Sequence, residues 1–195
     1  MSSFKPLLPA QYQLMQSKAK LTIAACEPGA GVTYGLAIKA IHEARDNNKL
    51  VLMIGTFPDR AGASNEIFRH LLDGEQYRYS QASCIYTFPN GGRVKLVHYG
   101  HKGAWVGCSF DVVLCDHRFE FLDHSTMFRT NQIVVSAYPD VVMNHKWFHN
   151  FFAGGTFEDF VEVVKFKADH NFFMEDNIYF EYARKSIPEH FGFKF

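Results

Sequence analysis

The 195 residues carry twenty basic and twenty acidic side chains, so the formal charge is zero and the isoelectric point is about 7.1. No global field draws such a chain to nucleic acid or to a membrane surface, and any contact with DNA has to be local. With 47% hydrophobic and 16% aromatic residues the chain is long enough for one well-buried core, and a single domain over residues 1–195 is the expectation. The stretch Met1-Ser2-Ser3-Phe4-Lys5-Pro6 lacks the apolar core of a signal peptide, and no apolar run approaches bilayer length, which predicts a soluble intracellular protein. Cys26, Cys84, Cys108 and Cys115 are scattered without a short disulfide framework and read as reduced thiols.

In chain order, an N-terminal segment over residues 1–19 holds Pro6 to Met15, a proline before a short helix whose first turn carries Gln11. Lys20 to Ala25 is a first buried strand, and Tyr34 to Asn47 has helical spacing. Leu50 to Gly55 is a continuous apolar run bounded by turn residues, as suits a strand buried on both faces of a parallel sheet. Ala63 to Leu72 reads as an amphipathic helix stopped by Asp73-Gly74. Cys84–Phe88 and Arg93–Tyr99 flank Pro89-Asn90-Gly91-Gly92, the turn chemistry of a hairpin. Two more strands follow, Asp111 to His117 and Gln132 to Ala137. In the C-terminal region, 140–195, Met143 to Phe152 is an aromatic helix, Phe160 to Phe166 alternates like an edge strand, and Glu175 to Lys185 is helical before a loose Ile187 to Phe195.

Strands alternating with helices indicate a three-layer α/β fold, in which ligands lie at the carboxyl ends of the strands. Three motifs fall at such ends. Ala25 to Tyr34 runs from strand through Gly29 and Gly31 into a helix, the order of a phosphate-binding loop, where backbone N–H groups and a helix N-terminus face an anion. Against the pattern G-x-x-x-x-G-K-[ST], Gly31 and Thr33 are in register, Cys26 replaces the first glycine and Val32 stands in the lysine position. Asp116 ends one apolar strand and Ser136 another.

These pieces together resemble the N-terminal ATPase domain of the large terminase subunit, the DNA-packaging motor of tailed phages. Leu8-Pro9-Ala10-Gln11 looks like its adenine-reading glutamine motif, and Cys26 to Thr33 like its Walker A, commonly G-G-R-G-S-G-K-[ST]. Phe88 to Val94 is similar to its hairpin, and Gly107 to Asp116 to its Walker B segment. Val134 to Pro139 looks like its coupling motif, and Asn144-His145-Lys146-Trp147-Phe148 like its tryptophan segment. The resemblance implies a P-loop NTPase fold of the ASCE/RecA-like kind, with a mainly parallel central sheet and one β-hairpin. It implies ATP and Mg²⁺ as cofactors, with nucleotide on Gln11, Gly29, Ala30, Gly31, Val32, Thr33 and Tyr34, metal on Thr33 and Asp116, and coupling through Ser136 and Ala137. It also implies portal and terminase subunits as partners, double-stranded DNA within an assembly, a homo- or hetero-oligomer, no membrane, and a place in the cytoplasm of an infected bacterium. The family's RNase H-like nuclease domain has no counterpart in these residues.

The departures fall on the chemistry. Phosphoryl transfer relies on positive charge around the transferring group, and Val32 supplies none, while Glu27 adds negative charge beside it. His117 occupies the place of the catalytic glutamate and is the available base. Substitute cations are Lys18, Lys20 and Lys102, each also readable as a surface lysine. Two functions follow: an ATPase module that drives or regulates DNA translocation, or a catalytically impaired interaction module that regulates packaging or pairs with an active subunit. His98-x-x-His101 with Cys108 and Cys115 is too loosely spaced for zinc and reads as core or surface. The Phe148, Phe151, Phe152 spacing suits a packed helix face better than a stacking surface for single strands. Arg60, Arg69 and Arg129 are candidates for a finger offered to a neighbouring subunit.

Overall fold

Helix α1 (Pro9–Gln16) starts with proline at its first position and is followed by β1 (Leu21–Cys26), α2 (Val32–Arg45), β2 (Leu50–Gly55) and α3 (Ala63–Leu71). Then come β3 (Arg78–Ser80), β4 (Ile85–Thr87), β5 (Arg93–His98), β6 (Val112–Asp116), β7 (Gln132–Ser136) and β8 (Val161–Phe166). The structure is a computed structural model that describes residues 8–27, 29–55, 63–101, 105, 107–117, 130–138, 141–142 and 161–167. The expected helices at Met143–Phe152 and Glu175–Lys185 lie outside these residues, as do Lys102, Arg60, Arg129 and the tryptophan segment.

The eight strands of the described residues form one sheet in the order β3-β4-β5-β2-β6-β7-β1-β8. The six from β5 to β8 are mutually parallel, and β3, β4 and β5 are antiparallel neighbours. The hairpin is therefore part of a three-stranded meander. Its outer strand, Arg78-Tyr79-Ser80, was not expected: three residues are too few to display an alternation. The sheet shares its mostly parallel α/β plan with the P-loop class expected from the sequence.

Apolar side chains occupy odd and even strand positions alike because both faces are covered. Ala24, Cys26, Val51, Met53, Val112, Leu114 and Val134 pack toward α2 and α3, with Leu36, Ala40, Ile41 and Phe68. Leu21, Ile23, Leu52, Ile54, Val113, Cys115, Ile133 and Val135 face the other way, against Trp105, Phe110 and Val142. Each such Leu, Ile or Val contributes about 1.5–3 kcal/mol by leaving water.

Helix α2 begins two residues earlier than its periodicity suggests, because Gly31 takes a left-handed φ of 78° and turns the chain directly into the helix. At its other end the hairpin turn closes it: Asn90 Nδ2 donates to Ala44 O at 3.0 Å and Arg45 O at 2.6 Å. None of the four cysteines is in a disulfide. No helix among the described residues is long and apolar enough to cross a membrane.

Candidate functional site

In-register pairing sets Asp116 beside Ser136, and Ser136 beside Ala24 of β1. Successive strand side chains alternate faces. Asp116 shares the parity of Val112 and Leu114, and Ser136 that of Val134, so both point to the α2 face. There Thr33, the second residue of α2, meets them. Thr33 Oγ1 donates to Asp116 Oδ2 at 2.8 Å and Ser136 Oγ donates to Asp116 Oδ1 at 2.8 Å. Ser136 Oγ in turn accepts from His117 N at 2.9 Å. Asp116 and Ser136 are buried, yet the carboxylate is paired by hydroxyls, which is what makes its burial affordable.

Gly29 and Gly31 both have φ of 78°, a left-handed conformation that glycine adopts without strain. Such geometry arrays successive N–H groups into an anion-binding concavity at the start of a helix. Ala30 between them is buried and donates its N–H to Glu27 O at 3.1 Å, so this amide closes the turn. Val32 is only 6% exposed and packs in the α2-face core with Leu36 and Ala37. The position that carries a lysine in the motif is here a core position.

Cys26 is buried and its thiol is pushed up to about 12 by burial and then by the Asp116 charge, so it stays protonated. Burial also raises the hydroxyls of Tyr34 and Tyr138, the latter with added repulsion from Cys26 and Glu27. Tyr138 thus borders the loop from the end of β7. Gln11 is buried on the other side: its Oε1 accepts from Leu8 N at 3.1 Å and its Nε2 donates to Gly31 O at 3.2 Å. Gly31 O also accepts the first helical bond, from Gly35 N at 3.0 Å. Gly35 permits this approach, since a Cβ there would stand 3.3 Å from Gln11 Cγ and from the Phe166 ring.

His117 has φ of 62°, a region that histidine enters more readily than most side chains. Its ring is half exposed, with Nε2 3.4 Å from Asp116 Oδ1. Ala137 follows Ser136 and donates its N–H to Ala24 O at 3.2 Å.

Two expected substitute cations sit elsewhere. Lys18 and Lys20 precede β1, at the amino ends of the strands, and β1 separates them from the loop by about 20 Å at some 3.3 Å per residue. Lys18 lies instead 3.5 Å from Glu43. Arg69 is on α3 and acts electrostatically on Tyr79 and Tyr86, at the far edge of the sheet from β1. His98 and His101 have ring centroids 5.6 Å apart, while Cys115 is in the core and Cys108 is exposed. No cluster of three or more metal-binding side chains of the His, Cys, Asp and Glu kind occurs among the described residues. A magnesium ion asks for less, since it takes one or two protein oxygens together with phosphates and water. Thr33 Oγ1 and Asp116 Oδ2 are hard oxygen donors already side by side, so these residues fit such an ion.

One neighbour of the loop was not legible in the sequence. β8 runs parallel to β1 with Cys26 opposite Phe166, and Glu27 N donates to Phe166 O at 3.0 Å. No local signal joins residues so far apart in the chain.

No family profile and no curated sequence matches the chain. Solved structures do. The large terminase ATPase domain of Thermus phage P74-26 is similar over 97% of this chain and 91% of its own, with 15% identity and a TM-score of 0.62. A point variant of that domain is similar over 97% and 92%, with 16% identity and the same TM-score of 0.62. The large terminase of a thermophilic bacteriophage, solved in complex with ADP, is similar over 94% of this chain and 51% of its own, with 14% identity and a TM-score of 0.66. The chain thus spans nearly the whole of an isolated ATPase domain and about half of a longer terminase, and its fold is that of the large-terminase ATPase domain.

Proposed function

We propose that the chain is a terminase-type ATPase module of viral DNA packaging. It binds ATP with Mg²⁺ and couples the nucleotide's state to DNA movement within an assembly of portal and terminase subunits in the infected cell. The observation that carries this reading is the hydrogen-bonded chain Thr33–Asp116–Ser136–His117 N, set at the mouth of two left-handed glycines. The fold shared with terminase ATPase domains, one of them solved with ADP, supports it.

In this reading, the N–H groups of Gly31, Val32 and Thr33 at the N-terminus of α2 bind the phosphates. Thr33 and Asp116 would hold the metal, which when bound supplies positive charge to the phosphate oxygens. Ser136 joins Asp116 to the backbone of His117 and, with Ala137, links a change at the metal side to the strand ends. Gln11 holds Gly31 O and so positions the loop beneath the nucleotide. His117 offers an imidazole nitrogen where the family has a carboxylate base, and Val32 offers no charge. Slow turnover by the isolated chain is therefore expected.

A second reading, an interaction module that pairs with an active subunit, is favoured by one observation: Val32 is packed into the core. Titration with ATP and Mg²⁺ separates the two. Saturable binding with a raised melting temperature supports the nucleotide-binding module. No binding and no melting shift at millimolar ATP overturns it in favour of the interaction module.

A further inference from the structure

We propose that the solvent-facing side of the meander formed by β3, β4 and β5 is a contact surface for the phosphate backbone of double-stranded DNA, made by Arg78, Arg93 and Lys95. The inference rests on the packaging reading above and adds the part of the fold that meets the DNA.

Strand pairing decides which side chains share that face. Tyr79 pairs with Tyr86 and Tyr86 with Val94, and all three pack into the core on the α2 side. Successive side chains alternate faces, so the neighbours of this row point the other way. One neighbouring row is Arg78, Thr87 and Arg93, and the other is Ser80, Ile85 and Lys95. Val97, two residues beyond Lys95, is buried in the core on the opposite side from α2, which fixes the direction of the face. Arg78, Ser80 and Arg93 are exposed, as is Leu50, which pairs with Arg93 on β2.

The chain as a whole is neutral, but these two rows hold three cations and no acid. Two acids flank the meander, and both are engaged. Glu75, before β3, lies 3.3 Å from Arg45 Nη1, and Asp111 Oδ2, before β6, accepts from Leu50 N at 2.8 Å. Among the described residues no ion pair holds Arg78 or Arg93. Arg78 and Arg93 stand two strands apart, about 10 Å, and Arg93 and Lys95 two residues apart, about 7 Å. Phosphates follow one another about every 3.4 Å of axis along each DNA strand, so long basic side chains at this spacing reach several of them. The hydroxyls of Ser80 and Thr87 lie among the cations and are phosphate-contacting groups as well. Neither row carries an aromatic side chain on which the bases of a single strand would stack. The face therefore suits a duplex held through its backbone.

The test measures binding of the full chain to labelled duplexes of mixed sequence, by fluorescence anisotropy over a range of salt. Log affinity should fall linearly with log salt, and R78Q and R93Q should each reduce the slope by about 0.9, the value for one phosphate. At about 50 mM salt each should lose roughly tenfold in affinity, while R78K keeps the slope. R69Q makes the same charge change on α3, on the opposite side of the meander, and should leave the slope unaltered. Two unrelated duplex sequences should bind alike. Unchanged melting temperatures of R78Q and R93Q, both substituted at exposed positions, establish that the folds are intact. If R78Q with R93Q binds duplex with the unsubstituted slope, the role of this face is overturned. If polyglutamate displaces duplex at equal charge concentration, an acidic protein segment is the occupant and the DNA role is overturned. If the unsubstituted chain binds no duplex at low salt, the inference fails, while the nucleotide-binding reading is decided separately by the ATP titration.

Discussion

Ser136 joins two strands and a loop through one hydroxyl. It is buried, donates to Asp116 Oδ1 at 2.8 Å and accepts from His117 N at 2.9 Å. In Ser136→Ala both groups lose that partner, and a buried polar group left unsatisfied costs about 1–3 kcal/mol. The variant should unfold at lower urea by that amount, and, if the nucleotide reading holds, ATP turnover should fall more than ATP binding. Equal losses in both would assign Ser136 to structure alone. Val32 poses the opposite question. Restoring a lysine there removes a methyl-bearing side chain from a packed core position, which costs stability. The pair Val32→Lys with His117→Glu should therefore melt earlier while raising ATPase activity. An unchanged rate in the folded double variant would count against a site whose only missing groups are these two. Glutamate must also enter the left-handed φ of 62° at position 117, where histidine is better tolerated.

The Pro89-Asn90-Gly91-Gly92 turn does more than reverse the chain between β4 and β5. Asn90 Nδ2 donates to the carbonyls of Ala44 and Arg45, two of the last unpaired acceptors of α2. A Cβ on Gly92 would lie 1.9 Å from Ala44 O, a backbone atom that cannot step aside. Asn90→Ala should cost about 1–2 kcal/mol in urea unfolding, and Gly92→Ala more, because backbone rather than a side chain must move. A Gly92→Ala variant as stable as the parent would show that the turn does not sit against α2. The turn itself was legible, since Asn-Gly between two alternating runs signals a hairpin. Its docking on a helix more than forty residues earlier was not, because tertiary contact leaves no local pattern. The strands β2, β6 and β7 were legible for a related reason: each is a continuous apolar run. β3 was too short to alternate, and the start of α2 was hidden because Gly31, Val32 and Thr33 serve the loop and the helix at once. At the site, Thr33, Asp116 and Ser136 were identifiable as strand-end and loop residues. Their hydrogen bonds, and the approach of Phe166 to the loop, depend on strand order.

Across the molecule, the amino-end side of the sheet is held by a charged hub that answers the polar cluster at the carboxyl ends. Lys39 and Glu43, one turn apart on α2, are both fully buried, with Lys39 Nζ 3.3 Å from Glu43 Oε1. Lys39 Nζ also donates to Met15 O at 3.3 Å and Ser17 O at 3.0 Å, fastening the end of α1. Glu43 Oε2 is 2.7 Å from Lys49 Nζ and 3.0 Å from Asn47 Nδ2, fastening the turn into β2. Burial alone would raise the Glu43 carboxyl, but the hydrogen bonds and charges of Lys49, Lys39 and Asn47 together outweigh it and hold the group down at about 2. Burial lowers the Lys39 ammonium to about 8 despite its partner. The two shifts act on stability in separate windows. Below about 4.5 the unfolded chain binds a proton at Glu43 that the folded chain refuses, so stability present at neutral pH is lost as pH falls toward about 2. For Lys39 the unfolded chain again binds the extra proton, now between about 8 and 10.5, so this group adds stability as pH rises through that range. Urea midpoints of the full chain should therefore fall between pH 5 and pH 3. Glu43→Gln should flatten that fall while destabilising the fold at pH 7 by about 3–5 kcal/mol, because it leaves the Lys39 charge buried and unpaired. Glu43→Gln with Lys39→Met removes both charges and should recover much of that loss. A double variant no more stable than Glu43→Gln would mean that the hub acts through Lys49 and the turn into β2 rather than through the buried pair.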